Sequence, residues 1–428
     1  MSTTDTSNAV SKTSFPKGQI EIVLLEGTHP AGTQSLQGEG FSIRSLSSSL
    51  SGEALHNEIR RAHIVGIRSK TQITEEVLNN CERLLGIGCF CAGTNQVDLE
   101  AAANRGIAVF NSPFSNTRSV AELTISEIIA LHRKLTARSH TLHQGRWEKS
   151  AAGSHEVRGK TLGIIGYGHI GSQVSILAEA MGMRVQFFDT ISKLPLGNAT
   201  QAQSAEELLK TSDVVTLHVP DTETTRRMIN DAQLGMMKQG AYLINNARGS
   251  IVDLDALRAR IESGHIAGAA VDVFPEEPAQ SGESFVSPLQ GLDNVILTPH
   301  VGGSTIEAQE AISLDIATKI TRFMNMGTTT GAVNIPEVDL PDQHRQSASG
   351  GEPESRSHRI LNFHRNVPGV LNKIHEAAAD LNINISGQYL QTNNDVGYLV
   401  LDADPSNAAA LHDRINSIDE SIRTRILW

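Results

Sequence analysis

Two groups of residues in this 428-residue sequence have the types and spacing to do chemistry. The first is Gly166-Tyr167-Gly168-His169-Ile170-Gly171, a G-x-G-x-x-G run that follows an apolar stretch at 162–165. A second apolar stretch, 185–188, ends in Asp189, eighteen residues past Gly171. Strand, glycine loop, helix, strand and acid in that order are the context of a dinucleotide site. Gly166 makes the tight turn, Gly168 lets the backbone approach a pyrophosphate, and Gly171 lets helix and strand pack closely. The free N–H groups of the helix start supply the charge complement for phosphate. Asp189 can accept hydrogen bonds from ribose hydroxyls and repels a 2′-phosphate, so the expected cofactor is NAD and not NADP.

The second group is spread along the chain. In open α/β sheets, ligands bind beyond the carboxyl ends of the strands. Arg68 follows the apolar run 63–67, Arg248 follows 242–247, Asp272 and Glu277 lie in and after 269–274, and His300 follows 295–299. An arginine, a carboxylate and a histidine converging in this way suit oxidation of a 2-hydroxy acid. Hydride must leave C2 and a proton must leave its hydroxyl. Imidazole is the natural base near neutral pH. A guanidinium fork can hold a carboxylate through two hydrogen bonds. His300 is therefore the acid/base candidate, Arg248 the substrate clamp and Glu277 the partner of the imidazole. Glu276 is a rival on the residues alone, because the segment reads Pro275-Glu276-Glu277-Pro278.

Something must position these groups. Short apolar runs at 20–25, 63–67, 84–89, 107–110, 162–165, 185–188, 214–219, 242–244, 269–273 and 295–297 alternate with amphipathic stretches. That alternation predicts parallel sheets in an α/β architecture. Helices are predicted at 171–181, 205–209 and 255–262, with one or two inside 74–102. Longer helices at 116–135 and 304–326 are predicted to bridge two domains, the second opened by a Ser304/Glu307 capping box. The layout is discontinuous, crossing near residue 116 and returning near 303. Residues 337–357 have the composition of a linker. Beyond them, strand 359–364, helix 369–381, strands 383–391 and 397–402, helix 406–416 and strand 422–427 predict a ferredoxin-like βαββαβ module. The expected fold is two doubly wound parallel-sheet domains, one discontinuous and substrate-binding, the other a Rossmann NAD domain, plus this C-terminal module. The boundaries are 1–18 for a disordered tail, 19–115 with 303–336, 116–302, the linker, and 358–428.

A formal net charge of −11 argues against a general binder of nucleic acid or anionic membrane. The three cysteines, Cys81, Cys89 and Cys91, make no disulfide framework and no closed zinc site, so no metal is expected and the cytoplasm is the natural compartment. No apolar run reaches the ~18 residues of a membrane span.

The sequence resembles the D-isomer-specific 2-hydroxyacid dehydrogenases. The likeness runs through Gly166 to Gly171, through Ser212-Asp213-Val214-Val215-Thr216-Leu217-His218-Val219-Pro220, through the segment holding Asn245-Asn246-Ala247-Arg248-Gly249, and through Thr298-Pro299-His300-Val301-Gly302-Gly303. It implies that the catalytic residues are Arg248, Glu277 and His300, which favours Glu277 over Glu276. It also implies NAD contacts at His169, Ile170, Asp189, Asn246, Ala247, Arg248, Asp272, His300, Val301, Gly302 and Gly303. Within the family, the stretches Gly66-Ile67-Arg68-Ser69-Lys70-Thr71 and Asn111 to Glu122 resemble members that oxidise 3-phospho-D-glycerate at the entry to serine biosynthesis. That likeness places Arg68, Ser69, Lys70, Asn116 and Lys149 near the substrate and implies a homotetramer. One departure is that Ser45-Leu46-Ser47-Ser48-Ser49 offers no cation where one is expected near residue 47.

Residues 359–428 resemble an ACT domain, a regulatory module that binds amino acids. His364, Asn366 and Asn384 stand in its binding segments and imply L-serine as an effector. Two other readings are dehydrogenation of a different D-2-hydroxy acid and an NAD-binding co-repressor that does no chemistry.

Overall fold

The structure, a computed structural model, describes residues 15–278, 282–340 and 357–427. The expected tail at 1–18 lies mostly outside the described residues, as does most of the expected linker. Where they are described, the tail stretch stays largely exposed and the start of the linker stretch is packed. The Phe15 ring lies 5.7 Å from His63, Lys17–Gln19 forms a 3-10 turn, and Val338 and Leu340 are buried. Two apolar side chains inside a polar stretch thus mark the end of a core and not the start of a linker. The chain divides into two compact units, Met1–Pro113 with Gln309–Trp428, and Phe114–Ala308.

In the first unit, β1 (Glu21–Leu24), β2 (Ser42–Ser45), β3 (Ile64–Ile67), β4 (Gly86–Cys89) and β5 (Ala108–Phe110) form a parallel sheet in the order β2-β1-β3-β4-β5. The order reverses between β1 and β3. Helices α1 (Pro30–Gly38), α2 (Gly52–Ile59), α3 (Glu75–Asn79) and α4 (Leu99–Ala103) connect the strands. β3 and β4 are buried along their whole length, as unbroken apolar runs require.

The second unit opens with α5 (Thr117–Arg133) and α6 (Leu135–His143). A seven-stranded parallel sheet follows, built from β6 (Thr161–Ile165), β7 (Arg184–Phe188), β8 (Thr200–Gln201), β9 (Val214–Leu217), β10 (Ala241–Asn245), β11 (Ile266–Val271) and β12 (Val295–Leu297). Its order, β12-β11-β10-β9-β6-β7-β8, reverses between β6 and β9. The connecting helices are α7 (His169–Ala180), α8 (Ala205–Thr211), α9 (Asp231–Met236) and α10 (Leu254–Glu262). Side chains start them where local chemistry demands: Ser204 caps α8 through the Glu207 amide and Asp253 caps α10 through the Ala256 amide.

Helix α11 (Ile306–Met326) buries Ile312, Ile316, Ile320 and Phe323 at helical spacing. Thr305 and not Ser304 caps it, through the Ala308 amide at 3.1 Å, because the helix starts one residue later than the capping-box spacing implies.

The C-terminal module is β13 (His358–Arg365), α12 (Val370–Asp380), β14 (Ile385–Thr392), β15 (Val396–Ala403), α13 (Ala408–Asn416) and β16 (Ser421–Leu427), the βαββαβ order. Its antiparallel sheet runs β14-β15-β13-β16. Period-two alternation splits its side chains between two cores. Ile360, Leu399 and Leu401 face α12 and α13. Leu361, Phe363, Tyr398 and Val400 join Phe110, Phe323 and Ile335 in the core of the first unit.

Candidate active site

The glycine loop follows β6, at the point where the seven-stranded sheet reverses, which is where open α/β sheets receive ligands. Gly166 has φ +92°, and a Cβ there would collide with the His218 carbonyl. A Cβ on Gly171 would collide with the Gly166 carbonyl, whereas Gly168 faces open space. The loop is thus tight where chain packs on chain and open where a pyrophosphate would come. Gly168 precedes α7 without any side-chain cap, so the N–H groups of the first turn stay available. Asp189 accepts the Tyr167 amide at 2.8 Å and the Ile191 amide at 3.0 Å, which fixes its carboxylate beside the loop. The His169 ring lies against Phe114 with ring centroids 3.8 Å apart and the planes tilted by 31°, and Ile170 packs against the core around β6. These residues fit NAD.

The acid/base pair is formed. His300 Nδ1 lies 2.8 Å from Glu277 Oε2, and Glu277 Oε1 accepts the Phe274 amide at 3.0 Å. A carboxylate only accepts, so Nδ1 carries the proton and Nε2 is left free to take another. Among the described residues, Glu276 makes no such contact with His300. The hydrogen bond to Glu277 raises the pKa of His300 against the opposing effect of burial. Burial pushes Glu277 up, but the hydrogen bonds from His300 and the Phe274 amide outweigh it and hold the carboxyl below its ordinary value. The Arg248 guanidinium is close enough to lower both pKa values by its charge.

Backbone contacts explain why the three groups meet. A Cβ on Gly249 would collide with the Phe274 carbonyl, so only glycine lets the Arg248 segment lie against the segment leading to Glu277. Asn245 accepts the Ala247 amide and donates to the Arg248 carbonyl, closing the turn that presents Arg248. Asp272 is buried and accepts the Val301 and Gly302 amides, both at 2.8 Å, together with the Thr298 hydroxyl at 2.6 Å. Its carbonyl accepts the His300 amide at 2.8 Å. Tied down on both sides, His300 stands in the left-handed region at φ +53°.

Sequence reasoning missed the buried pair beneath this site. Asn246 Nδ2 donates to Glu127 Oε2 at 2.7 Å and to Thr124 Oγ1 at 3.1 Å, so its amide nitrogen is turned into α5. Burial pushes Glu127 up to about 7, with the Asn246 hydrogen bond partly offsetting and Asp272 adding to the rise. The signal was there: Glu127 stands on the apolar stripe formed by Val120, Thr124, Ile128 and Leu131.

The expected substrate residues fall in both units. In the second, the Asn116 carboxamide lies against Gly303, and Lys149 is exposed. In the first, Arg68 is half-buried and Ser69 and Lys70 are exposed in the loop after β3. Among the described residues, neither cation pairs with an acid. In the C-terminal module, Asn366 and Asn384 are exposed, and Asn366 donates to the Asn393 carbonyl at 2.7 Å. His364 departs from the expected open binding position. It is 3% exposed, bonded to Asn362 at 3.1 Å, with its ring filling the space over Gly397. Among the described residues, no group of acids, histidines and cysteines could hold a metal, and no helix is long and apolar enough to cross a membrane.

The family described as D-isomer specific 2-hydroxyacid dehydrogenase, NAD binding domain, matches residues 125–302. The D-3-phosphoglycerate dehydrogenase of Haemophilus influenzae is 49% identical over 97% of this chain and 99% of its own length. The chain belongs to the D-isomer specific 2-hydroxyacid dehydrogenases. The D-3-phosphoglycerate dehydrogenase of Escherichia coli K12 is also 49% identical, over 98% of this chain and all of its own. Among solved structures, a D-lactate dehydrogenase from Aquifex aeolicus complexed with NAD and lactic acid is 29% identical, with a TM-score of 0.65. It matches 74% of this chain and all of its own. Residues 360–423 match a further family, the AHAS small subunit-like ACT domain. The chain is thus an NAD-dependent oxidoreductase that carries an ACT domain.

Proposed function

We propose that the chain oxidises 3-phospho-D-glycerate at C2 to 3-phosphooxypyruvate, the first step of serine biosynthesis. The observation that carries this reading is the 2.8 Å bond from His300 to Glu277 beside Arg248, in a chain 49% identical to D-3-phosphoglycerate dehydrogenases. NAD, when bound, accepts the hydride from C2. The C2–H and O–H bonds break and a C=O bond forms. His300 Nε2 takes the hydroxyl proton, and Glu277 stabilises the imidazolium that results. Arg248 pairs with the substrate carboxylate and draws the C2 oxygen into line. Gly168 and the first turn of α7 hold the pyrophosphate, and Asp189 takes the ribose hydroxyls. Arg68 and Lys70, with cationic side chains unclaimed by acids among the described residues, suit the phosphate, and Ser69, Asn116 and Lys149 complete the substrate set.

NADH absorbance tests this with a panel of acids. The phosphorylated substrate should exceed D-lactate and D-glycerate in kcat/KM by at least about a hundredfold, because a site built for phosphate leaves its cations unpaired with the plain acids. Equal rates with the plain acids would overturn the substrate assignment, and no NADH with any acid would overturn the enzyme.

L-Serine is the proposed effector of the ACT domain, through the exposed Asn366 and Asn384 and without the buried His364. Inhibition by millimolar L-serine is expected, and an unchanged rate would remove it. A cytoplasmic homotetramer is the proposed assembly. It is supported by α6, which buries nothing, and by the exposed Leu135, Leu142 and Trp147. A monomeric mass in solution would overturn that.

A further inference from the structure

We infer that Glu26 is a positioning residue that sets the Arg68-Ser69-Lys70 loop, with Gln96 and Cys91 completing its clamp. The inference rests on the reading that this loop meets the substrate phosphate. Glu26 lies two residues past β1 and Arg68 follows β3, so the two stand at the point where the five-stranded sheet reverses its order. Ligands favour such a point.

The Glu26 side chain is turned inward and the residue is only 9% exposed. Among the described residues it has no cationic partner. Its carboxylate instead accepts three backbone amides of one loop: Arg68 at 3.2 Å and Thr71 at 2.8 Å on Oε1, and Lys70 at 3.1 Å on Oε2. A buried carboxylate is tolerated only when such bonds replace water, and bonds to an ionised acceptor are the strong ones. Its own backbone is left-handed at φ +63°, and its amide donates to the Ser48 carbonyl at 3.1 Å. The other side of Arg68 is held as well. Gln96 is 3% exposed and donates Nε2 to the Arg68 carbonyl at 2.6 Å, while the Cys91 thiol reaches the same oxygen at 3.6 Å. The peptide groups on both sides of Arg68 are therefore fixed by side chains from the segments after β1 and after β4.

Converging backbone amides of this kind usually make an anion site themselves. Here an internal carboxylate fills it. A phosphate arriving at this loop must therefore be met by the side chains of Arg68 and Lys70 and not by the three amides that Glu26 holds. Glu26 touches neither substrate nor cofactor in this scheme; it acts through Arg68 and Lys70.

Steady-state kinetics of Glu26→Gln, Arg68→Ala and the double variant test the inference. The amide in Glu26→Gln keeps one acceptor for the Arg68 and Thr71 amides but points a donor at the Lys70 amide, so the loop should loosen. Glu26→Gln should raise KM for 3-phosphoglycerate about tenfold, with KM for NAD and kcat changed less than about threefold. In the Arg68→Ala background the same substitution should add a smaller factor, about threefold, because only Lys70 is left for it to act through. An unchanged KM in Glu26→Gln, or the same tenfold factor in both backgrounds, would overturn the positioning role. Arg68→Ala alone reports on the underlying reading: if it leaves KM for 3-phosphoglycerate unchanged, the loop is not the phosphate site, whatever Glu26 does. Should Glu26→Gln not accumulate folded, Gln96→Met opens the carbonyl side of the clamp without burying a misplaced donor, and the same pattern of KM changes decides.

Discussion

The imidazole of His300 is prepared by one hydrogen bond and one backbone conformation. The bond to Glu277 raises its pKa above the ordinary 6.5. Oxidation needs the neutral ring, so kcat/KM for the hydroxy acid should climb with pH through an inflection above 6.5. Glu277→Gln removes the charge that favours imidazolium. It should move that inflection to lower pH and lower the plateau, as pH–rate profiles of the two proteins will record. His300→Asn should cut turnover by ~10²–10⁴ while NAD still binds, measured by titration calorimetry. Asparagine is the suitable replacement because, like histidine, it tolerates the left-handed backbone that position 300 requires. A β-branched residue there would confuse loss of the base with distortion of the loop.

At the scale of elements, α5 carries a buried acid under the catalytic turn. Glu127 has a pKa near 7 in the folded chain against an ordinary 4.5, so the folded form holds the proton more tightly. Stability is then lost as pH rises from 4.5 to 7, by on the order of 3 kcal/mol in total. Glu127→Gln keeps a side chain near Asn246 and carries no charge, so melting points of the variant should be flat across that window where those of the parent fall. The elements legible in the sequence were those whose burial is complete. β3, β6, β9, β10 and β11 are apolar runs because both sheet faces are covered. β2 and β8 were not legible, since Ser42–Ser45 and Thr200–Gln201 are exposed edge strands that need no apolar residues. The glycine loop, Arg248 and His300 could be singled out because each closely follows a strand, whereas Glu277 was favoured over Glu276 only by the family likeness. Glu26 could not be read. Its partners begin 42 residues away, and nothing in Leu25-Glu26-Gly27 says that the carboxylate turns inward.

Across the whole molecule, the ACT domain and the five-stranded sheet share one core. Phe363 stacks on Tyr398, and the Tyr398 hydroxyl donates to the Gly327 carbonyl at 2.6 Å. Arg359 pairs with Asp402 at 2.7 Å and reaches the Met326 carbonyl at 3.1 Å, while Arg423 donates to the Leu84 carbonyl. Arg425 is pulled down to about 10 by burial and lies 4.9 Å from the Phe323 ring centroid. Ending the chain at residue 340 should therefore lower the melting point and promote aggregation, since several large side chains, each worth about 1.5–3 kcal/mol, lose their cover. Tyr398→Phe should cost about 1 kcal/mol in denaturant unfolding, because the Gly327 carbonyl loses its donor.

The sheet of the ACT domain has helices on one side and the core of the first unit on the other. Over β13 and β15, neither broad side is left to receive a small molecule or a second copy. Traffic to this module must come edge-on, along β14 or β16, or through the loop tips where Asn366 and Asn384 stand in water. A partner seated along one rim could therefore push on the whole plate, and through it on α11, without prying open either layer.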